Sequence, residues 1–221
     1  MPQATVHLLR HGEVHNPDAV LYGRLPEFHL SERGREMARM LADHFTARVS
    51  EGAKIVHLVA SPLTRAQETA MPTAEALNLD ITTEPRIIEA ENHFEGLHPT
   101  KREFLKPKHW IYFRNPLRPS WGEPYKEQAA RVLAAVEDAR VKAIELGGDG
   151  AEAILVSHQL PIWSTRLTAE GRSLAHDPRK RECTLTSLTS LTLDGHGKIV
   201  RVEYTEPAAA LLPGAASTPG A

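Results

Sequence analysis

The sequence predicts an α/β fold in which a mostly parallel sheet lies between two layers of helices. Short apolar runs, each long enough for one buried strand, alternate with longer segments whose apolar residues recur at helical spacing. Towards the C-terminus, leucines alternate with serine or threonine, and a glycine-containing turn follows. Together these observations predict a three-layer α/β/α sandwich with a C-terminal antiparallel hairpin.

Length and composition favour a single globular domain. The 221 residues can bury a sizeable core, and we expect the domain to span residues 1–206. A formal net charge of −2 provides no field that would attract nucleic acid or an acidic membrane. No apolar run reaches the length of about eighteen residues that a membrane span needs. A single cysteine, Cys183, excludes an internal disulfide framework and favours a reducing compartment, which we expect to be the cytoplasm.

The expected elements follow from periodicity and from turn residues. Strands are predicted at Val6–Leu9, Ile55–Ala60, Asp80–Thr83, Ala153–Val156, Thr184–Leu193 and Ile199–Tyr204. Helices are predicted from the N-cap Ser31 to about Val49, and at Thr64–Leu77, Tyr125–Leu146 and Pro161–Thr168. Residues 91–124 are expected to form an irregular insertion over the sheet edge. The Ala-, Pro- and Gly-rich stretch 207–221 is expected to be a disordered tail.

Polar residues with catalytic potential follow the ends of three predicted strands. The first strand runs into Arg10 and His11, and a later one runs into Ser157 and His158. A third strand ends at Ala60, and Arg65 then falls in the first turn of the following helix. The carboxyl ends of parallel strands meet at one edge of a sheet. Two histidines and two arginines are therefore expected at one point, which is typical of an anion site.

A phosphoryl group is the anion that this set of residues fits best. Arginine offers a planar fork of donors, and a neutral histidine nitrogen can attack phosphorus to form a phosphohistidine. The leaving alcohol then needs a proton from a nearby carboxylic acid. Glu89, which follows the short third strand and Pro85, is the candidate acid.

Five ordered segments resemble the histidine phosphatase superfamily, which includes cofactor-dependent phosphoglycerate mutases and broad acid phosphatases. In chain order they are Arg10-His11-Gly12-Glu13, Leu30-Ser31-Glu32-Arg33-Gly34, Ser61-Pro62-Leu63-Thr64-Arg65-Ala66-Gln67-Glu68-Thr69, Pro85-Arg86-Ile87-Ile88-Glu89 with Glu95-Gly96, and Val156-Ser157-His158. One such segment is a weak signal, but five in order are a specific one. The resemblance implies a phosphoglycerate mutase-like fold.

The resemblance also implies roles for five residues. His11 is expected to be the nucleophile, and Arg10, Arg65 and His158 to bind the phosphoryl group. Glu89 is expected to protonate the leaving group and later to activate water. Neither a metal nor a cofactor is expected, and the partner is a small phosphorylated molecule. The expected activity is a phosphatase; a phosphoglycerate mutase-type phosphotransferase and a non-catalytic phosphate-binding module are the alternatives.

Several positions depart from the family pattern and leave alternatives open. Asn16 lies five residues after His11, where the family usually has an asparagine at six. Gln159 replaces the glycine that commonly follows the second histidine and is placed to narrow the pocket or contact substrate. Glu91 rivals Glu89 as the general acid, and Glu13 is a possible secondary site residue that we interpret as structural.

Two further groups of residues have both a plain and a functional interpretation. The basic stretch Lys101–Arg118 is either a solvated face or a lid that supplies charge to the substrate. His93, His98 and His109 fit no compact zinc pattern, so we interpret them as surface loop residues.

Overall fold

The computed structural model describes residues 2–98, 100, 106–113 and 122–216, and this part of the chain contains one six-stranded sheet. The strands are β1 (Ala4–Arg10), β2 (Lys54–Ala60), β3 (Ile81–Thr83), β4 (Ala151–Ser157), β5 (Leu188–Leu193) and β6 (Ile199–Thr205). Their order across the sheet is β3-β2-β4-β1-β5-β6. The first four strands run parallel, while β5 and β6 are antiparallel to their neighbours. The predicted parallel sheet with an antiparallel C-terminal hairpin is confirmed.

Helices cover both faces of the sheet, as the sequence predicts. They are α1 (Glu32–Ser50), α2 (Thr64–Leu77), α3 (Tyr125–Gly147) and α4 (Gln159–Ala169). Because side chains alternate across a strand, β1 contributes Leu8 to one core cluster and Leu9 to another. Leu8 shares its cluster with α3 and α4, whereas Leu9 shares its cluster with α1 and α2. The two clusters define the three layers.

Local sequence signals account for the ends of these helices. The Ser31 hydroxyl accepts the backbone N–H of Gly34 at 3.0 Å, which caps α1 as expected. Asn78 ends α2 in the left-handed conformation, with φ of 52°. Helix α4 begins at Gln159, two residues before the predicted start at Pro161. A proline is tolerated there because N–H groups in the first turn have no partner within the helix.

Strand β5 begins at Leu188, so the predicted start at Thr184 is wrong. The preceding residues form a turn in which the Ser187 N–H donates to the Thr184 carbonyl at 3.2 Å. Thr186 adopts a φ of 56°, which no strand residue has. The prediction failed because the alternation of leucine with serine and threonine continues through this turn. Alternation alone does not show where a strand begins.

The C-terminal stretch packs on the domain up to residue 216, so the expected disorder is wrong for this part. Ala208 is 1% exposed and shares a small core cluster with Met37 of α1 and Leu185. The Ala216 N–H donates to a carboxylate oxygen of Glu13 at 2.6 Å. A few apolar residues and one backbone hydrogen bond hold this segment on the domain, although its Ala-, Pro- and Gly-rich composition predicted no buried side chains. Residues 217–221 lie outside the described residues.

The insertion contacts the loop that follows β1. The Leu21 N–H donates to the Leu97 carbonyl at 2.9 Å, and the Gly96 N–H donates to the Leu21 carbonyl at 2.8 Å. Most of the basic stretch Lys101–Arg118 lies outside the described residues, and both of its interpretations remain predictions. No helix in the described ranges is long and apolar enough to cross a membrane.

Candidate active site

The ends of β1 and β4 bring the two histidines together. Arg10 is aligned with Ser157 in the parallel ladder, and the His11 N–H donates to the Ser157 carbonyl at 3.1 Å. The ring centroids of His11 and His158 are 5.2 Å apart. Both rings are fully buried. The predicted convergence of the two strand ends therefore occurs, and the register of the sheet fixes it.

One nitrogen of His11 is held by the backbone, and the other is available for chemistry. The Nδ1 atom lies 2.8 Å from the Gly12 carbonyl, which can only accept a hydrogen bond, so Nδ1 carries the proton. Nε2 then holds a lone pair, and it is buried without a hydrogen-bond partner among the residues described. The Gly12 N–H donates to the Thr69 hydroxyl at 3.0 Å, which fixes this turn against α2.

The surroundings of His11 favour its neutral form. Burial lowers the pKa of His11 well below its usual value, and the positive charges of Arg65 and Arg10 lower it further. The hydrogen bond to the Gly12 carbonyl opposes this shift but is the smallest contribution. A neutral imidazole with its proton on Nδ1 is the form that can act as a nucleophile through Nε2.

His158 is oriented by Ser61, at the start of the loop that leads into α2. Its Nε2 lies 2.7 Å from the Ser61 hydroxyl, while its Nδ1 is buried without a hydrogen-bond partner among the described residues. If Ser61 donates to Nε2, Nδ1 carries the proton and can donate to an anion. Burial lowers the pKa of His158 well below its usual value, and Arg65 and His11 add to the effect.

Two buried arginines contribute positive charge beside the histidines. Arg65 donates from Nη2 to the Gly23 carbonyl at 2.6 Å, and its guanidinium lies 4.7 Å from the centroid of the Tyr22 ring. Its Nε and Nη1 atoms have no hydrogen-bond partner within the described part of the chain. Arg10 donates from Nη1 to the Cys183 carbonyl at 2.8 Å. Unfilled donors on a buried guanidinium are suited to an anionic ligand.

Glu89 is the carboxyl group that joins this cluster. It is 2% exposed, and its Oε1 accepts the Ala90 N–H at 2.7 Å. Its Oε2 is buried and has no hydrogen-bond partner among the residues described. Burial raises the pKa of Glu89, and the opposing fields of Arg65, Arg181 and Arg10 do not cancel the effect. Glu91, by contrast, is exposed, so the two carboxyl groups lie in different environments.

The secondary candidates lie around the cluster with different contacts. The Asn16 side chain bonds only to the backbone of Val20 within the described residues, at 2.9 and 3.1 Å. Glu13 accepts the Ser31 hydroxyl at 2.6 Å and the Ala216 N–H, which fits a structural interpretation. Gln159 donates to the Cys183 carbonyl at 3.3 Å and therefore lies beside Arg10.

The prediction that His109 is a surface residue is wrong. His109 is 2% exposed, and its ring centroid is 5.2 Å from that of Phe94, while His93 and His98 are exposed as expected. The basic and irregular sequence around His109 hid this packing, because a contact with Phe94 across the insertion leaves no periodic signal. Within the described ranges, no group of three or more His, Cys, Asp or Glu residues could hold a metal ion.

Sequence reasoning missed three contributors to the site. Ser61 was part of a family segment, but its contact with His158 joins distant parts of the chain. Tyr22 lies under Arg65, and Phe28 stacks on it with centroids 5.0 Å apart. Arg181 comes from the loop between α4 and β5 and donates to Gln159 at 3.4 Å. The run Arg179-Lys180-Arg181 indicates a basic segment, but the sequence does not show which of its arginines is buried.

Comparison with known proteins identifies the family and agrees with this fold. The model of the histidine phosphatase superfamily (branch 1) matches residues 6–205, and the chain belongs to this superfamily. The uncharacterized protein Rv0525 of Mycobacterium tuberculosis is 50% identical over 212 residues, covering 95% of this chain and 100% of that protein.

Two other similar proteins carry functional names. A probable phosphoglycerate mutase, GpmB, of an Enterobacter species is 30% identical over 71% of this chain and 70% of its own length. The structure of the mycobacterial glucosyl-3-phosphoglycerate phosphatase Rv2419c superimposes with a TM-score of 0.71 at 22% identity, covering 92% of this chain and 96% of that one. The structural likeness supports the phosphoglycerate mutase-like fold.

Proposed function

We propose that this protein is a phosphatase that hydrolyses phosphate monoesters through a phosphohistidine at His11. The single observation that carries the proposal is the state of His11. Its Nδ1 proton is held by the Gly12 carbonyl, and its Nε2 has no hydrogen-bond partner among the described residues and feels the positive charges of Arg65 and Arg10. A neutral, oriented imidazole in a cationic pocket is suited to attack a phosphoryl group rather than only to bind one.

In the first step, His11 Nε2 forms a bond to phosphorus while the bond from phosphorus to the ester oxygen breaks. Arg10, Arg65 and the Nδ1–H of His158 stabilise the negative charge on the phosphoryl oxygens. Glu89 gives its proton to the departing oxygen, which leaves as an alcohol. The raised pKa of Glu89 supports this role, because the acid stays protonated at a higher pH than an exposed carboxyl does.

In the second step, water attacks the phosphohistidine and the bond between nitrogen and phosphorus breaks. The ionised Glu89 takes a proton from this water and returns to its starting form. Inorganic phosphate then leaves, and His11 regains its neutral state. The proposal includes no metal ion, because the arginines supply the positive charge at the phosphoryl oxygens. Activity that is abolished by EDTA and restored by a divalent cation would contradict this part.

A phosphoglycerate mutase-type phosphotransferase is the second candidate, and the similarity to GpmB favours it. Such an enzyme would use the same residues but return the phosphoryl group to a second alcohol. We propose hydrolysis as the main activity. Incubation with 3-phosphoglycerate, with and without 2,3-bisphosphoglycerate, separates the two, because a phosphatase releases inorganic phosphate whereas a mutase interconverts the isomers with little release.

A panel of phosphorylated metabolites and p-nitrophenyl phosphate tests the proposal as a whole. Phosphate release that is lost in His11→Ala is the expected result. Release that persists in His11→Ala would refute the assignment of the nucleophile. Binding of phosphate esters with no turnover of any of them would instead favour a non-catalytic binding module.

A further inference from the structure

A cavity of about 300 Å³ adjoins the proposed catalytic cluster at Arg10 and Gln159. Arg10 therefore belongs both to the catalytic cluster and to the cavity wall. The Cys183 carbonyl orients Arg10 by accepting a hydrogen bond from its Nη1 at 2.8 Å. The same carbonyl accepts the Gln159 amide at 3.3 Å. The volume falls at the lower end of the range of pockets that hold small ligands, about 300 to 1,000 Å³. Arg10, which is proposed to bind the phosphoryl group, is among the residues that line this cavity.

The cavity is lined by cationic side chains. Its lining includes Arg10, Arg179 and Arg181, and none of the described residues that line it is an aspartate or glutamate. The two arginines of the loop before β5 differ in their surroundings. The Arg179 side chain is 84% exposed and forms an ion pair with Asp177 at 2.9 Å. Its charge is thus compensated and solvated, which leaves Arg181 as the cation of interest.

Arg181 is a partly buried cation with neutral partners. Its Nε donates to His176 Nε2 at 2.9 Å, and its Nη1 donates to the Gln159 side-chain oxygen at 3.4 Å. No ion pair with a carboxylate holds it within the part of the chain that the structure describes. Burial lowers the pKa of Arg181, and the interactions with Tyr125 and Glu89 oppose the shift. An anionic ligand would supply a direct counter-charge, which Arg181 lacks among the described residues in direct contact with it.

Arg181 also lies close enough to Glu89 for the two groups to interact electrostatically. The charges of Glu89 and Arg181 act on each other, and Glu89 is the group proposed to protonate the leaving oxygen. Because Arg181 lines the cavity, the cavity lies near the proposed general acid. Leu212 and Ala215 of the packed C-terminal stretch form part of its wall, so residues 207–216 help to enclose it.

We propose that this cavity binds a second anionic group, a carboxylate or a second phosphoryl group, on the alcohol part of the substrate, with Arg181 as its main contact. The inference rests on the proposed phosphatase function and adds a substrate class to it. The preferred substrates are then phosphate monoesters with two anionic groups, and a monoester of a neutral alcohol of the same size is a poorer substrate.

Three related compounds test this substrate class. Glycerol 3-phosphate has a neutral hydroxymethyl group where 3-phosphoglycerate has a carboxylate, and glycerol 1,3-bisphosphate carries a second phosphoryl group. We expect kcat/KM for at least one of the two compounds with a second anionic group to exceed that for glycerol 3-phosphate by about 10- to 100-fold, the range of a charge-assisted contact. The compound that is preferred identifies the second group as carboxylate or phosphoryl.

Arg181→Gln should remove most of this preference, and Arg181→Lys should retain part of it because the charge remains. The readout is the ratio of kcat/KM values, since Arg181 also acts on Glu89 and can change the rates of all substrates together. Arg172→Gln is the matched control: Arg172 is half-exposed, is paired with Glu170 at 2.7 Å and does not line the cavity. The ratio of kcat/KM values between the substrates should be the same in Arg172→Gln as in the wild type.

Three outcomes separate the proposals. A wild-type enzyme that hydrolyses all three compounds without preference overturns the second-anion site but leaves the phosphatase proposal intact. An Arg181→Gln variant that keeps the wild-type ratio also overturns the site. If none of the compounds is hydrolysed, the phosphatase proposal is in question, and calorimetric affinities of the same compounds test the cavity alone. Equal affinities of the wild type for glycerol 3-phosphate and for both compounds with a second anionic group would then overturn it.

Discussion

Replacement of Glu89 by glutamine tests the proposed general acid most sharply. The carboxyl is 2% exposed with an unpartnered Oε2 among the described residues, and burial raises its pKa. Glutamine keeps the size of the side chain and the acceptor for the Ala90 N–H but has no proton to give. General acid catalysis contributes about 10²- to 10⁴-fold, equivalent to about 3–5 kcal/mol of activation free energy. We expect a loss in this range of kcat/KM for an alkyl phosphate such as glycerol 3-phosphate.

The choice of leaving group sharpens this test. Nitrophenolate departs without a proton, so the loss with p-nitrophenyl phosphate should be much smaller than the loss with the alkyl phosphate. Initial rates of phosphate release at substrate concentrations well below KM measure both losses as kcat/KM, which does not include the later attack by water. Glu91→Gln is the matched control, because Glu91 is exposed, and its rates should stay at the wild-type level. Equal losses with both substrates, or a larger loss in Glu91→Gln than in Glu89→Gln, would refute the assignment.

The pH profile and the stability of the same variant follow from the raised pKa. The rate with an alkyl phosphate should fall as the pH rises through the pKa of Glu89, and Glu89→Gln should lack this limb. Because the folded-state pKa lies above the unfolded one, ionisation of Glu89 at higher pH disfavours the folded protein. The variant should therefore be no less stable than the wild type at neutral pH, which thermal unfolding checks.

Three further predictions concern the packing that supports the site. A Cβ added at Gly34 would lie 2.1 Å from the Glu13 carbonyl oxygen, so Gly34→Ala should lower the free energy of unfolding by at least about 2 kcal/mol, measured in urea. Ser61→Ala leaves His158 Nε2 buried without its partner at 2.7 Å, so we expect the free energy of unfolding to fall by about 1–3 kcal/mol and kcat/KM to fall as well. Unchanged kinetics would contradict the role of Ser61 in positioning His158. Removal of residues 208–221 deletes Ala208 and uncovers its core partners Met37 and Leu185, so the free energy of unfolding should fall by about 2 kcal/mol. An unchanged unfolding midpoint would contradict the packed tail.

Much of the fold could be predicted because its signals are local. The apolar run of β1 ends at its polar pair, Ser31 caps α1, and α2 occupies the predicted range of residues. The rule that parallel strands meet at one edge then places His11 near His158 without knowledge of any contact between them. These inferences need only periodicity, capping chemistry and topology.

The remaining features depend on contacts between distant segments. The bond from Ser61 to His158 spans 97 positions, and the bond from Arg181 to Gln159 depends on how one loop returns over the strand ends. The tail packs through Ala208, which shares a core cluster with Met37 and Leu185, and composition contains no information about this contact. Such contacts are set by the three-dimensional arrangement, so a single sequence gives no local sign of them.

The central claim is that His11 receives the phosphoryl group, and trapping the intermediate tests it most directly. Glu89→Gln should slow attack by water, so this variant should accumulate phosphoenzyme when it is mixed with p-nitrophenyl phosphate and rapidly quenched. Peptide mapping under alkaline conditions, where phosphohistidine survives, should find the phosphoryl group on His11, and His11→Ala should carry none. A phosphoryl group on a different residue, or full turnover by His11→Ala, would contradict the account.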